Sequence, residues 1–153
     1  MLKKYSLMNP LYRGLLHWIS LTLVGFLSLN HMTLPHYYYL IFMGALIFAI
    51  GQYIYYLGWK INRQVRKRYD QIEYIANAGI YEKIRHPCYL GMMLMYIGVG
   101  ILWGSYISLC FAIFLSGLLV IVAIEEEKAL CERFEDYKKY MKKVKWRFIP
   151  GLF

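Results

Sequence analysis

Two long stretches of this chain carry no charged side chain. No Asp, Glu, Lys or Arg occurs at positions 14–59 or 86–124, although the 153 residues include 18 Lys or Arg and 9 Asp or Glu. A helix needs about 20 apolar residues to cross the hydrocarbon core of a bilayer, so runs of this length are typical of membrane helices. The 59% hydrophobic composition argues against a disordered chain, and the segregated charge argues against a nucleic-acid partner. We therefore expect an integral membrane protein.

Turn-forming residues divide the two stretches into four predicted spans. Asn30, His31, Pro35 and His36 mark the turn between spans at about 14–34 and 37–59. A Gly-Ser pair at 104–105 separates spans at about 88–103 and 106–124. The predicted fold is an all-α membrane protein with about four transmembrane helices. It forms a single domain over 1–153, with cytoplasmic segments at 60–87 and 125–153.

The positions of the basic residues predict the orientation. Every Lys and Arg lies in the N-terminal segment, in the segment between Lys60 and Arg85, or after Glu127. Basic residues flanking spans are retained on the cytoplasmic side, and neither short turn carries one. We therefore expect a multi-pass protein with both termini in the cytoplasm.

The C-terminal segment has the pattern of an amphipathic helix. Leu130, Phe134, Tyr137, Met141 and Val144 recur at spacings of four, three, four and three residues, with lysines on most of the remaining positions. One interpretation is a helix on the inner membrane surface, attracted to anionic lipid. The alternative is a helix that packs its apolar stripe on the other cytoplasmic segments.

A short turn between the third and fourth spans would bring two distant polar segments together. Arg85, His86 and Pro87 would begin one helix at the same depth at which Glu126 and Glu127 leave the other. Free N–H groups at a helix start attract anions, so the pair of segments suits a ligand carrying both a carboxylate and a cation. We expect no metal site, because a lone His without a second ligand at the right spacing is a poor candidate. The three cysteines predict no disulfide framework.

Two sequence blocks carry a family resemblance. The first is Gly79-Ile80-Tyr81-Glu82-Lys83-Ile84-Arg85-His86-Pro87-Cys88-Tyr89-Leu90-Gly91, and the second is Glu126-Glu127-Lys128-Ala129-Leu130 followed by Phe134, Tyr137, Tyr140, Val144 and Arg147-Phe148-Ile149-Pro150. Together they resemble the isoprenylcysteine carboxyl methyltransferase and phospholipid methyltransferase superfamily. The match covers roughly the C-terminal half of the chain.

The resemblance implies an enzyme that transfers methyl groups from S-adenosylmethionine to a lipidic or small apolar acceptor at the cytoplasmic membrane face. For the transfer itself we expect Arg85 to hold the carboxylate end of the cofactor and Glu126 or Glu127 to receive its hydroxyl or ammonium groups, so Arg85 and Glu126 are the predicted catalytic residues. The implied cofactor-binding residues are Ile75, Tyr81, His86, Pro87, Cys88, Tyr89, Gly91, Glu126 and Glu127.

Two other functions stay open at this point. NADPH-dependent membrane reductases of the sterol type have a similar C-terminal pattern, including a glycine-tyrosine and an Arg-His-Pro motif. A non-enzymatic membrane scaffold could retain the same residues for packing.

Overall fold

The computed structural model describes residues 2–29, 33–34 and 37–152, and all regular elements in these ranges are helical. The helices are α1 (Leu2–Ser6), α2 (Pro10–Leu27), α3 (Tyr37–Ile61), α4 (Pro87–Leu102), α5 (Tyr106–Arg133) and α6 (Glu135–Lys143). Single 3-10 turns at Tyr69–Gln71 and Gly79–Glu82 interrupt the long segment between α3 and α4. The predicted turn residues Asn30, His31, Pro35 and His36 lie outside the described residues.

The described elements are all helical, as predicted, but the helix lengths agree only in part with the four predicted spans. Two helices, α3 and α5, are long and apolar enough to cross a membrane. Only 11% of the apolar window of α3 is buried inside the protein, as expected for a surface that faces lipid. The helices at the other two predicted spans, α2 and α4, are shorter. Of these, α2 ends at Leu27 instead of residue 34, and α4 has 16 residues, which cover about 24 Å.

Glycines allow α3 and α4 to pack at close range. Gly44, Gly51 and Gly58 recur every seven residues along α3 and face Gly98, Gly91 and Cys88 of α4. A Cβ atom on Gly91 would lie 2.7 Å from the carbonyl oxygen of Gly51, closer than real Cβ contacts allow. These two helices therefore pack so closely that backbone touches backbone.

The two ends of the bundle differ in polarity. At one end the backbone N–H of Leu34 donates to the carbonyl of Gly104 at 2.8 Å, so the turns that follow α2 and α4 meet there. At the other end lie the starts of α2 and α4, the end of α3 and the glutamates of α5, together with the 62–86 and C-terminal segments. We call this the charged end.

The C-terminal apolar stripe is buried against protein. It does not form one helix, because Phe134 adopts an extended conformation and separates α5 from α6. Leu130, Tyr137, Tyr140 and Val144 pack around Ile72 of the segment between α3 and α4. Of the two interpretations of the stripe, the structure therefore favours packing on the other segments of the charged end, because this buries the aromatic rings away from solvent.

Candidate active site

The start of α4 is held by the C-terminal tail. Pro87 occupies the first turn of the helix, where its missing N–H costs nothing. Just before it, the backbone N–H groups of Arg85 and His86 donate to the carbonyls of Trp146 and Arg147, both at 2.9 Å. Residues 146–147 therefore lie alongside residues 85–86 and fix the direction in which both side chains leave the backbone.

Glu127 is the centre of a buried ionic network. Its Oε1 accepts hydrogen bonds from Arg85 Nε at 2.6 Å and His86 Nε2 at 3.1 Å, and its Oε2 accepts one from Arg147 Nε at 2.8 Å. Arg85 Nη1 also donates to the carbonyls of Val144 and Lys145, each at 2.7 Å. The predicted convergence of the Arg-His-Pro motif with the glutamates is thereby confirmed.

The network keeps the Glu127 carboxylate charged. Glu127 lies beyond the apolar stretch that ends at Ile124, and its side chain is buried. Burial alone would raise the pKa of Glu127. The hydrogen bonds from His86, Arg85 and Arg147 outweigh burial and lower that pKa to about 2. A carboxylate engaged by three donors is suited to hold the tail against α4 and is less suited to receive a ligand.

Glu126 has a different partner. Tyr89 Oη donates a hydrogen bond to Glu126 Oε2 at 2.7 Å, and the Tyr89 ring stacks on the ring of His86 with centroids 5.6 Å apart. Because Glu126 and Glu127 are neighbours on one helix, they point in different directions. One carboxylate orients Tyr89, and the other binds the two arginines.

Tyr81 is fixed from both sides. Tyr140 Oη donates to the backbone carbonyl of Tyr81 at 2.7 Å, and Tyr81 Oη lies 3.6 Å from Cys88 Sγ. Burial raises the pKa of the Tyr81 hydroxyl well above its usual range, so it stays protonated at physiological pH.

These side chains surround a small polar cavity of about 40 Å³ at the charged end. Six of the predicted site residues line it: Tyr81, Arg85, His86, Cys88, Tyr89 and Glu126. The other four do not appear in its wall: Ile75, Pro87, Gly91 and Glu127. Ile75 packs beside the buried C-terminal stripe, and Gly91 is in close contact with α3.

A larger cavity of about 400 Å³ adjoins the polar one between α2, α3, α4 and α5. Tyr89 and Val65 line both cavities. The polar residues of the larger cavity are Arg13, His17, Gln52, Tyr55, Arg66 and Tyr89, and the rest of its wall is mostly apolar, including Trp18, Phe48, Met92, Met95 and Leu119. Apart from Tyr89, the sequence predicted none of these as site residues. A polar residue inside an otherwise apolar span, such as His17, was the available signal.

Comparison with known proteins gives the family. The sequence matches the family model of 3-oxo-5-alpha-steroid 4-dehydrogenase over residues 5–153. The chain belongs to this family. It is 29% identical over 113 residues to 3-oxo-5-alpha-steroid 4-dehydrogenase 2 of Sus scrofa, covering 69% of this chain and 43% of that protein. It is 28% identical over 140 residues to 3-oxo-5-alpha-steroid 4-dehydrogenase 1 of Bos taurus, covering 87% and 54%. The chain thus spans about half the length of the curated relatives it matches.

The family match shows that the inferred methyltransferase resemblance was wrong. S-adenosylmethionine as cofactor, a methyl acceptor as partner and methyl transfer as the reaction all rested on that resemblance, and the match to a steroid dehydrogenase family overturns them. The cause of the error is physical. The Arg-His-Pro motif at a helix start contacts a carboxylate cluster opposite it, and these contacts hold the charged end together. Such contacts are needed whichever cofactor binds there.

Proposed function

We propose that this chain is an NADPH-dependent reductase that acts on a carbon–carbon double bond conjugated to a ketone in an apolar, steroid-like substrate. The observation that carries this proposal is Tyr89, which lines both the polar cavity and the larger, mostly apolar one. Reduction brings a polar dinucleotide and an apolar substrate into contact at one point, and two adjoining cavities of opposite character suit that requirement. The names of the relatives, which are steroid dehydrogenases, support the same reaction class.

The donors around the polar cavity fit part of a dinucleotide. Arg85 and Lys67 carry positive charge, which Glu127 and Glu73 partly balance, and the side-chain amide of Asn62 can bind hydroxyl or phosphate oxygens. The volume of about 40 Å³ is far below that of pockets for whole cofactors, which are roughly 300 Å³ or more. Binding a whole dinucleotide therefore requires the segments around this cavity to move apart.

In this proposal each polar residue has a limited task. The bound NADPH supplies the hydride, and the overall reaction consumes one proton to give the saturated ketone and NADP⁺. Arg85 and His86 contact the cofactor from the start of α4. Glu126 acts as a positioning residue, since its hydrogen bond sets the orientation of the Tyr89 hydroxyl at the junction of the cavities.

The reaction can be tested directly with isotope-labelled cofactor. The protein is purified in lipid nanodiscs and incubated with androst-4-en-3-one and NADPH deuterated at the transferable position, and the products are identified by mass spectrometry. We expect a saturated ketone that contains one deuterium. Glu126→Ala, which removes the acceptor of the Tyr89 hydroxyl, should lower the rate. Glu125→Ala, which removes only an ion pair with the exposed Lys128, should not. Absence of deuterium transfer by the unmodified protein would refute the reductase proposal and favour a scaffold.

The proposal includes four spans with both termini in the cytoplasm. Besides α3 and α5, the outer face of α2 is apolar and exposed, which supports its contact with lipid; its exposed residues include Leu11, Leu15, Leu16, Ile19, Leu23 and Phe26. Fusions in a bacterial host test this arrangement. Green fluorescent protein should fluoresce at both termini, and alkaline phosphatase should be inactive at both termini but active when inserted after Gly104. Phosphatase activity at either terminus would contradict the arrangement.

A further inference from the structure

A basic groove lies at the charged end, apart from the two cavities described above. It has a volume of about 350 Å³ and lies between residues 82–83 and the C-terminal tail. Its charged residues, all exposed, are Lys83, Lys143, Lys145 and Glu82, and Trp146 forms part of its wall. We call it the lysine groove. Three cations against one carboxylate give it a positive charge, so it suits an anionic ligand.

The lysines of the groove lack the carboxylate partners that other exposed lysines have. Elsewhere at the charged end, ion pairs join Lys67 to Glu73, Lys128 to Glu125 and Lys139 to Asp136. Within the described part of the chain, no ion pair involves Lys83, Lys143 or Lys145. The positive charge of the groove therefore stays available to an external anion.

The tail beside the groove lies at the depth of lipid headgroups. The apolar stretch of α5 ends at Ile124, and Glu127 follows three residues later, about 5 Å farther along the helix. Arg147, the neighbour of Trp146, donates from Nε to Glu127 Oε2 at 2.8 Å. The headgroup region of a bilayer extends about 5–8 Å beyond the hydrocarbon core on each face. This ion pair therefore holds the tail at the level where lipid phosphates lie.

Apolar side chains of the tail remain exposed near the groove. Trp146 is 36% exposed, Ile149 46% and Leu152 75%. Tryptophan is enriched at membrane interfaces because its ring is apolar while its N–H can form a hydrogen bond. A soluble anion would bring no hydrocarbon to cover these side chains, whereas a lipid brings a phosphate and acyl chains together. The combination favours a lipid over a free phosphate.

We propose that the lysine groove binds the headgroup of an anionic phospholipid, with the phosphate at Lys83, Lys143 and Lys145 and the acyl chains beside Trp146 and Leu152. A lysine ammonium is a point charge that binds phosphate without a fixed geometry, so an open groove is sufficient. The bound lipid would tie the tail to the membrane surface, and the carbonyls of the same tail hold the start of α4. This proposal does not depend on the reductase function.

Native mass spectrometry measures the headgroup preference. Protein purified in detergent is titrated with dioleoyl phosphatidylglycerol or dioleoyl phosphatidylcholine, which have the same acyl chains. Each basic side chain near an anionic membrane surface strengthens binding by about fivefold, so the three lysines and one glutamate of the groove predict a preference for phosphatidylglycerol of roughly 25-fold. Replacing Lys83, Lys143 and Lys145 together by Gln should abolish most of this preference.

A matched triple variant separates the groove from the total charge. Lys128, Lys138 and Lys139 are exposed and do not line the groove, so replacing these three by Gln removes the same charge and should keep the preference. Equal loss in both triple variants, or full retention in the groove variant, would overturn the proposed site. Equal affinity of the unmodified protein for the two lipids would overturn it without any variant.

Two further measurements distinguish a lipid from a soluble anion. Glycerol 3-phosphate carries the phosphate without acyl chains, so at equal concentration it should not displace phosphatidylglycerol. Displacement would show a site for soluble anions and would overturn the lipid assignment. Leu152→Gln changes an exposed side chain beside the groove, so it should weaken binding of both lipids alike and leave the headgroup preference unchanged. Unchanged affinity of Leu152→Gln for both lipids would contradict the proposed position of the acyl chains.

Discussion

The buried ionic network predicts a large difference between three neighbouring glutamates. Glu127→Gln keeps the shape of the side chain but removes its charge, which leaves the buried guanidinium of Arg85 without an anionic partner. Hydrogen bonds to charged groups contribute about 1.5–3 kcal/mol each, and breaking a buried ion pair costs about 3–5 kcal/mol. Gln retains one carbonyl acceptor, so we expect a loss of about 3 kcal/mol.

This loss corresponds to a measurable change in thermal stability. For a chain of about this length, 1 kcal/mol shifts the unfolding temperature by roughly 2–4 °C, so Glu127→Gln should lower it by about 6–12 °C. The assay is thermal unfolding of the detergent-purified protein, followed by circular dichroism.

Two neighbouring variants provide the controls. Glu125→Gln affects only a pair with the exposed Lys128, and such pairs contribute little, so its shift should stay within about 2 °C. The shift in unfolding temperature for Glu126→Gln should lie between those of Glu125→Gln and Glu127→Gln, because the amide oxygen can still accept the hydrogen bond from Tyr89. Equal shifts for Glu125→Gln and Glu127→Gln would show that the network around Glu127 does not stabilise the fold.

Three further predictions concern packing, pH and a buried hydroxyl. Gly91→Ala places a Cβ atom 2.7 Å from a carbonyl oxygen of α3 and should destabilise the protein by about 1–3 kcal/mol, measured by thermal unfolding. Gly117→Ala is the control, because a Cβ atom there has no neighbour within 4 Å. Its unfolding temperature should be unchanged or slightly higher. Because the pKa of Glu127 is lowered to about 2 in the folded protein, its stabilising contribution is full well above pH 4.5, its ordinary value, and is lost as the pH falls toward 2. The difference in unfolding temperature between the unmodified protein and Glu127→Gln should therefore shrink from about pH 7 to about pH 3; a constant difference would contradict the ionic origin. Tyr140→Phe removes the hydrogen bond to the buried carbonyl of Tyr81 and should lower the free energy of unfolding by about 1–3 kcal/mol. An unchanged free energy of unfolding would indicate that another donor replaces the hydroxyl.

The charge pattern was sufficient to predict the helical architecture and the meeting of the two polar segments. Charged residues are too costly to bury in lipid, so their absence over 14–59 and 86–124 indicates membrane helices. A short turn at Gly104 then requires the start of α4 and the end of α5 to lie side by side, as His86 and Glu127 do.

The roles of individual residues were not predictable in the same way. Glu126 and Glu127 are chemically identical in sequence, and only the side of α5 on which each lies determines that one orients Tyr89 and the other binds Arg85 and Arg147. The same limit applies to Gly91. From the sequence, a glycine that contacts a cofactor looks the same as one that packs against a neighbouring helix, and in the structure Gly91 packs against α3.

Membrane insertion and helical class thus follow from the order of apolar and charged residues along the chain, because an unpaired charge is costly in hydrocarbon whatever the fold around it. The cavities, the Glu127 network and the burial of the C-terminal stripe depend on which faces of separate helices come into contact. Those contacts join residues far apart in the chain, such as Arg85 and Lys145, which are 60 positions apart, and no local pattern encodes them. Tertiary packing therefore decides which of the polar side chains are available to a ligand and which hold the fold together.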